Sequence, residues 1–324
     1  MIPRLKILMI CPAPRWSRKG NRVTAARWAG MLTELGHRVT IRQDYDASPC
    51  DLMIALHARR SAGAIHRFAR RHPDRPLVVA LTGTDLYRDI RTSRVAQKSL
   101  ELATRLVVLQ PRGLDELAEH LRGKTRSILQ SAAPTKRRHV ARRRRKDESF
   151  RVCVLGHLRF EKDPLRAALA TRQLPASSRV SVTHLGAALT PWMGRWAAAE
   201  SMRNPRYAWR GEVSYGRARR ELAGSDLMVL TSRMEGGANV LSEALADGVP
   251  IVASRIPSTE GILGSGYPGL FPVGDTKGLA ELLDRAESDG QFYGRLKDWC
   301  MRLAPRVRPA AEREGWRTLI AELS

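Results

Sequence analysis

Twelve short apolar runs, six in each half of the chain and separated by longer stretches of helical character, constrain this sequence more than any other feature. The first six are LKILMIC (5–11), RVTIR (38–42), DLMIALH (51–57), LVVAL (77–81), RLVVL (105–109) and RSILQ (126–130). The pattern then restarts with RVCVLG (151–156), RVSVTHL (179–185), RYAWR (206–210), DLMVLT (226–231), PIVA (250–253) and GLFPV (269–273). Runs that are apolar almost throughout belong to strands buried on both faces, and the helices between them are the crossovers that parallel neighbours need. Two Rossmann-like α/β domains in tandem are the economical solution, and 324 residues is about twice a typical domain.

Between the two sets of runs, residues 134–149 (PTKRRHVARRRRKDES) hold eight lysines and arginines against two acids. Such a segment repels itself and has almost nothing to bury, so it reads as a solvated linker rather than a nucleic-acid arm. The expected organisation is a first domain over 1–133, the basic linker over 134–149, a second domain over 150–304 and a closing helix over 305–324. Helical patterns near 289–304 and 309–323 are separated by Pro305 and Pro309, which interrupt a helix.

The formal net charge of +24 admits two kinds of partner, nucleic acid or small phosphate-bearing substrates. Outside the linker the excess is dispersed, and no basic stretch is interleaved with aromatic residues, which argues against nucleic acid. With 43% hydrophobic and 27% charged residues the chain has the composition of a folded protein, and no apolar run approaches the roughly 20 residues of a membrane span. The opening MIPRLKILMICPAP suits a buried first strand better than a signal peptide, so a cytoplasmic protein is expected. Cys11, Cys50, Cys153 and Cys300 have neither metal-ligand nor disulfide-framework spacing, and no DxD motif stands out, so no metal and no cofactor beyond the substrates is expected.

The chemistry concentrates in SRMEGGANVLSEALADGVPIVAS (232–254), which follows a buried strand and sets Glu235 and Glu243 seven residues apart. Gly236 and Gly237 allow close backbone approach to a ligand, and a helix beginning near Ala238, Asn239 and Val240 turns its amides toward an anion such as a diphosphate. Glu243, about one and a half turns in, suits the vicinal hydroxyls of a ribose, which leaves Glu235 for sugar hydroxyls. The bland alternative is a pair of ordinary helix-start acids and a Gly-Gly turn. In VLGHLRFEKDP (154–164), Gly156 and His157 open a strand-end loop whose Arg159 and Lys162 form a candidate diphosphate clamp.

In the first half, Arg18, Lys19, Gly20, Asn21 and Arg22 bring positive charge and amides to a helix start, suited to an anionic group or simply a solvated basic loop. His57 falls at a strand's carboxyl end with Arg59 and Arg60 just beyond, where open α/β sheets bind ligands. Thr82, Gly83, Thr84 and Asp85 occupy another strand end.

These segments resemble known motifs. Residues 232–254 resemble the E-x7-E pattern of family 4 retaining glycosyltransferases. Residues 154–164 resemble that family's G-R-L-x-x-x-K-G motif, with Gly156, Leu158 and Lys162 in matching places and His157 where an arginine is usual. Residues 81–89 (LTGTDLYRD) resemble its H-G-T-D segment with Thr82 in place of the histidine, and residues 11–40 resemble the acceptor-side loop of GT-B enzymes. Taken together, CPAP-x-x-SRKGNRVTA, IALHARRS, ALTGTDLYRD, VLGHLR and SRMEGGANV resemble the selenosugar synthases of the selenoneine pathway across essentially the whole chain.

That resemblance implies a GT-B architecture, α/β, with two Rossmann-like domains whose parallel sheets face a central cleft and a last helix that packs back on the first domain. It implies a glycosyltransferase that moves a sugar, N-acetylglucosamine, from a UDP-sugar to selenophosphate, releasing UDP and then phosphate. Catalytic Lys162, Arg159 and Glu235 are implied, with donor binding by Gly156, His157, Gly236, Gly237, Ala238, Asn239, Val240 and Glu243. Acceptor binding falls to Arg18, Lys19, Gly20, Asn21, Arg22, His57, Arg59, Arg60, Thr82, Gly83, Thr84 and Asp85. The implied functional neighbours are a selenophosphate-producing enzyme and the downstream selenoneine synthase. A selenophosphate selenium is already anionic and nucleophilic, so it needs no base where the histidine is missing. A family 4 enzyme with a hydroxyl acceptor, lipid or glycan, is the alternative, and a basic nucleic-acid-binding protein is the other.

Overall fold

The computed structural model describes residues 3–17, 20–135 and 148–323. Arg18, Lys19 and most of the basic run, 136–147, lie outside the described residues. Each of the twelve apolar runs carries a strand, and the chain divides into two compact units, Met1–Gln130 with Pro309–Ser324, and Ser131–Arg308.

The first unit is built on β1 (Lys6–Ile10), β2 (Arg38–Arg42), β3 (Leu52–Leu56), β4 (Leu77–Leu81), β5 (Arg105–Val108) and β6 (Thr125–Ser127). They pair in parallel in the order β2-β1-β3-β4-β5-β6. The two central strands β3 and β4 are buried at every position, whereas edge strand β2 alternates. Because successive side chains point to opposite faces, Met53, Ala55, Val79 and Leu81 meet Ile65, Phe68 and Leu100 of one helical layer. Leu52, Ile54, Leu56, Val78 and Ala80 share the other core with Trp28, Trp316, Leu319 and Ile320.

The helix Pro309–Ala321 thus completes the second face of a sheet whose strands come from the first 130 residues. Trp316 meets Trp28 edge to face with ring centroids 4.7 Å apart, the arrangement that ring quadrupoles favour. Beside them Glu312, 1% exposed, accepts from Trp28 Nε1 at 2.6 Å and from Arg27 Nε at 3.0 Å. A carboxylate buried without such partners would be strongly destabilising.

The second unit repeats the plan with β7 (Phe150–Leu155), β8 (Val180–Leu185), β9 (Tyr207–Trp209), β10 (Leu227–Leu230), β11 (Ile251–Ser254) and β12 (Leu270–Phe271). Their parallel order is β12-β11-β10-β7-β8-β9. In each unit the chain lays its early strands to one side of the first and then returns to the other side. The order therefore reverses between β1 and β3, and again between β7 and β10. Crevices at the carboxyl ends of strands beside such a switch point are where open α/β sheets take ligands.

Candidate active site

At the switch point of the second unit, the loops leaving β7 and β10 are laced together by backbone contacts. Arg233 N donates to Glu161 O at 2.8 Å, and Thr231 Oγ1 lies 2.9 Å from both the Lys162 and the Asp163 carbonyl oxygens. The lacing brings Lys162 to Glu235, whose Oε1 accepts from Lys162 Nζ and, at 2.7 Å, from Ser232 Oγ. Glu235 and Glu243 are both buried, at 9% and 8% exposed. Directly after Gly236 and Gly237 begins the helix Asn239–Asp247, with Ala238 at its cap position. Alanine brings no side-chain acceptor to the first-turn amides, so the positive end of the helix lies beside the Lys162–Glu235 pair without an acid in its first turn.

Asp163 stands where the G-R-L-x-x-x-K-G pattern ends in glycine, and it adopts a left-handed conformation, φ 44° and ψ 55°. Only glycine enters that region without strain. Here the carboxylate is held by Arg166 Nε at 3.0 Å and Arg233 Nη2 at 3.4 Å, which keep the turn in place. Arg159 opens the same turn with extended backbone and is partly buried.

A second layer supports Gly156. His184, 1% exposed, has Nε2 3.0 Å from the Gly156 carbonyl and Nδ1 2.9 Å from the Tyr207 hydroxyl. A carbonyl only accepts, so Nε2 carries the proton and the Tyr207 hydroxyl donates to Nδ1. Burial pushes the imidazole down to about 4, so it is neutral. His157 uses Nδ1 to accept from Ala187 N at 3.0 Å, so its ring is anchored to the loop after β8. In that loop a Cβ on Gly186 would lie 2.0 Å from the Gly156 oxygen, so only glycine lets the two backbones approach this closely.

In the first unit His57 sits one residue past β3 with φ 73°, its imidazole 4% exposed. Nδ1 accepts from Arg60 N at 3.3 Å, while Nε2 faces Thr84 Oγ1 at 3.4 Å and Asp89 Oδ2 at 3.9 Å. Desolvation lowers its pKa, partly opposed by Asp85. Asp85 is wholly buried and accepts from Ala58 N at 3.1 Å, Thr82 N at 3.1 Å and Gly83 N at 2.8 Å. Its carboxylate therefore ties the loops after β3 and β4 together. Arg59 and Arg60 are exposed, Gly20 opens the helix Gly20–Glu34, and Asn21 and Arg22 are partly buried in its first turn.

The structure therefore brings Gly156, Arg159, Lys162, Glu235, Gly236, Gly237, Ala238, Asn239, Val240 and Glu243 to one switch point. It gathers His57, Arg59, Arg60, Thr82, Gly83, Thr84 and Asp85 at adjoining strand ends of the first unit. Sequence reasoning passed over Ser232, His184 and Tyr207. Only the distances of Ser232 to Glu235, of His184 to Gly156 and of Tyr207 to His184 mark them, although Ser232 beside the glutamate was visible in the motif. Among the described residues, no group of three or more His, Cys, Asp or Glu is placed to hold a metal ion, and no helix is long and apolar enough to cross a membrane.

Two parallel α/β units, each with a switch-point site, constitute the GT-B glycosyltransferase architecture, and solved structures share it along the whole chain. Alr3699/HepE of Anabaena, solved with UDP and glucose, is 17% identical, with 99% of this chain and 100% of that one covered and a TM-score of 0.74. Sucrose-phosphate synthase of Thermosynechococcus elongatus is 14% identical over 99% of both chains, with a TM-score of 0.79. The lipopolysaccharide outer core galactosyltransferase WaaB is 12% identical over 98% of this chain and 99% of its own, with a TM-score of 0.66. At such identities the likeness is one of fold. No curated protein matches the chain. The family model of the group 1 glycosyl transferases matches residues 135–299, just over half of the sequence, and the chain belongs to that family.

Proposed function

We propose that this glycosyltransferase takes its sugar, N-acetylglucosamine, from a UDP-sugar and delivers it to selenophosphate. The observation that carries the donor half is the joining of Lys162 and Glu235 at the start of the helix Asn239–Asp247, behind Gly236 and Gly237. A diphosphate at that helix end meets amides, the positive end of the dipole and the Lys162 ammonium together. Glu243 receives the ribose hydroxyls and Glu235 the sugar hydroxyls, with Arg159 and Gly156 completing the donor set. The Anabaena structure of the same fold holds UDP and glucose, which supports a UDP-sugar for this chain.

The acceptor half rests on the resemblance of the whole chain to selenosugar synthases and on Thr82 standing where an H-G-T-D histidine is usual. The selenium lone pair forms the C1–Se bond as the C1–O bond to UDP breaks, and the electron pair leaves on the diphosphate, which Lys162 and Arg159 stabilise. Water then cleaves the P–Se bond and releases phosphate. Arg18, Lys19, Arg22, Arg59 and Arg60 are the cations proposed to attract the acceptor. The reaction needs an enzyme that makes selenophosphate upstream and one that consumes the selenosugar downstream, the selenoneine synthase of that pathway.

Purified protein given UDP-N-acetylglucosamine with and without fresh selenophosphate, and followed by mass spectrometry, separates the readings. A product with selenium's isotope pattern appearing together with UDP is the expected result; donor binding without it transfers the assignment to a hydroxyl acceptor. Lys162→Ala is expected to lower kcat by roughly a hundredfold, the loss of one charge-stabilising group, and unchanged kinetics would refute its role.

A further inference from the structure

Behind the Lys162–Glu235 pair runs a chain of buried hydroxyls that the donor reading does not use. Ser232 follows the end of β10 and Ser254 ends the neighbouring parallel strand β11; both are wholly buried. Ser254 Oγ lies 2.5 Å from the Ser232 carbonyl oxygen, and Ser232 Oγ lies 2.7 Å from Glu235 Oε1. The Ser254 carbonyl is held in turn by Thr259 Oγ1 at 2.6 Å, from a side chain that is also wholly buried.

The direction of each bond follows from its acceptor. A carbonyl and a carboxylate only accept, so Ser254 gives its one hydrogen to the Ser232 carbonyl, and Ser232 gives its own to Glu235. Lys162 Nζ ends on the same atom, Oε1. Among the described residues both side chains that hydrogen-bond the Glu235 carboxylate do so at Oε1, which leaves the lone pairs of Oε2 for a ligand. The two donors are not equivalent. The ammonium ends a flexible stem and is the group that a donor diphosphate claims, whereas the Ser232 hydroxyl sits on a buried, clamped backbone.

We infer that Ser232, clamped by Ser254, is a positioning residue for the transferred sugar. With Lys162 drawn to the diphosphate, its hydroxyl keeps Oε1 of Glu235 in place and leaves Oε2 to accept from the sugar hydroxyls. The inference rests on the reading of Glu235 as the sugar carboxylate. Ser232 itself needs no contact with the sugar. Its effect is confined to donors that carry one, since UDP alone brings no hexose for Glu235 to hold.

The test is calorimetric binding of UDP and of UDP-N-acetylglucosamine to the full chain and its Ser232→Ala, Ser254→Ala and Glu235→Gln variants, read as the ratio of the two affinities. Each serine variant removes one oxygen, and circular dichroism and thermal melting verify that the fold is kept. The expected result is that Ser232→Ala weakens UDP-N-acetylglucosamine roughly tenfold, the effect of one hydrogen bond to a charged group, while UDP holds its affinity. Ser254→Ala, which frees the Ser232 backbone and leaves its hydroxyl, should move the ratio in the same direction by a smaller factor, and it stands in if Ser232→Ala does not fold. Equal weakening of both ligands by Ser232→Ala would reduce Ser232 to a structural support and overturn the inference. A ratio unchanged in both serine variants but shifted in Glu235→Gln would overturn the inference alone. A ratio unchanged in Glu235→Gln would remove the reading of Glu235 and the inference with it.

Discussion

His184 offers a direct measure of how tightly the loop after β7 is held. Its imidazole accepts from Tyr207 and donates to Gly156 in a site closed to water, and its pKa falls from an ordinary 6.5 to about 4. A histidine whose folded pKa is lowered is protonated first in the unfolded chain. Stability is therefore fully present above pH 6.5 and is lost as pH falls toward 4. Two and a half pH units at about 1.36 kcal/mol each give roughly 3 kcal/mol lost across that window.

An NMR titration of the His184 ring is expected to show no protonation down to about pH 5 in the folded protein. Urea denaturation between pH 7 and 4.5, compared between wild type and His184→Gln, isolates its contribution from those of His57 and the other histidines. The variant is expected to lose the steep part of the decline. A His184 ring that titrates near 6.5, or identical pH slopes in the two proteins, would refute the closed, neutral imidazole.

Three further expectations follow from the same structure. Trp316→Ala removes a fully buried ring from the Trp28 edge contact and should destabilise the first unit by about 3–5 kcal/mol in chemical denaturation. Gly186→Ala drives a Cβ to 2.0 Å from the Gly156 oxygen; it should cost about 1–3 kcal/mol of stability and weaken UDP binding measured by calorimetry. Asp85→Asn turns an amide group toward the three backbone N–H groups that the carboxylate accepts; a loss of about 1–3 kcal/mol in the melting of the first unit is expected.

The four cysteines illustrate how far local pattern reaches. Cys11 and Cys153 lie in strand-like runs, and both are buried free thiols, with burial pushing Cys153 up to about 12. No side chain there is poised for chemistry. The strands themselves were legible for the same reason: a run buried on both faces is apolar at every position, so its signature is contained in a few adjacent residues. The parallel pairing followed from the helical spacing between runs, and the candidate site from a strand, two glycines and a helix start in immediate succession.

The sequence by itself therefore determined the twelve strands, their division into two sets and the loop that joins Glu235 to the helix bearing Glu243. Tertiary structure alone decided that His184 supports Gly156 from 28 residues away, that Asp85 binds backbone amides at two strand ends, and that Arg219 meets Asp247. It alone put Trp316 against Trp28, across almost 290 residues of chain. The physical reason is that strand and helix signals are written in short-range periodicity, whereas a buried hydrogen bond is specified by two side chains that meet only once the sheet order has closed.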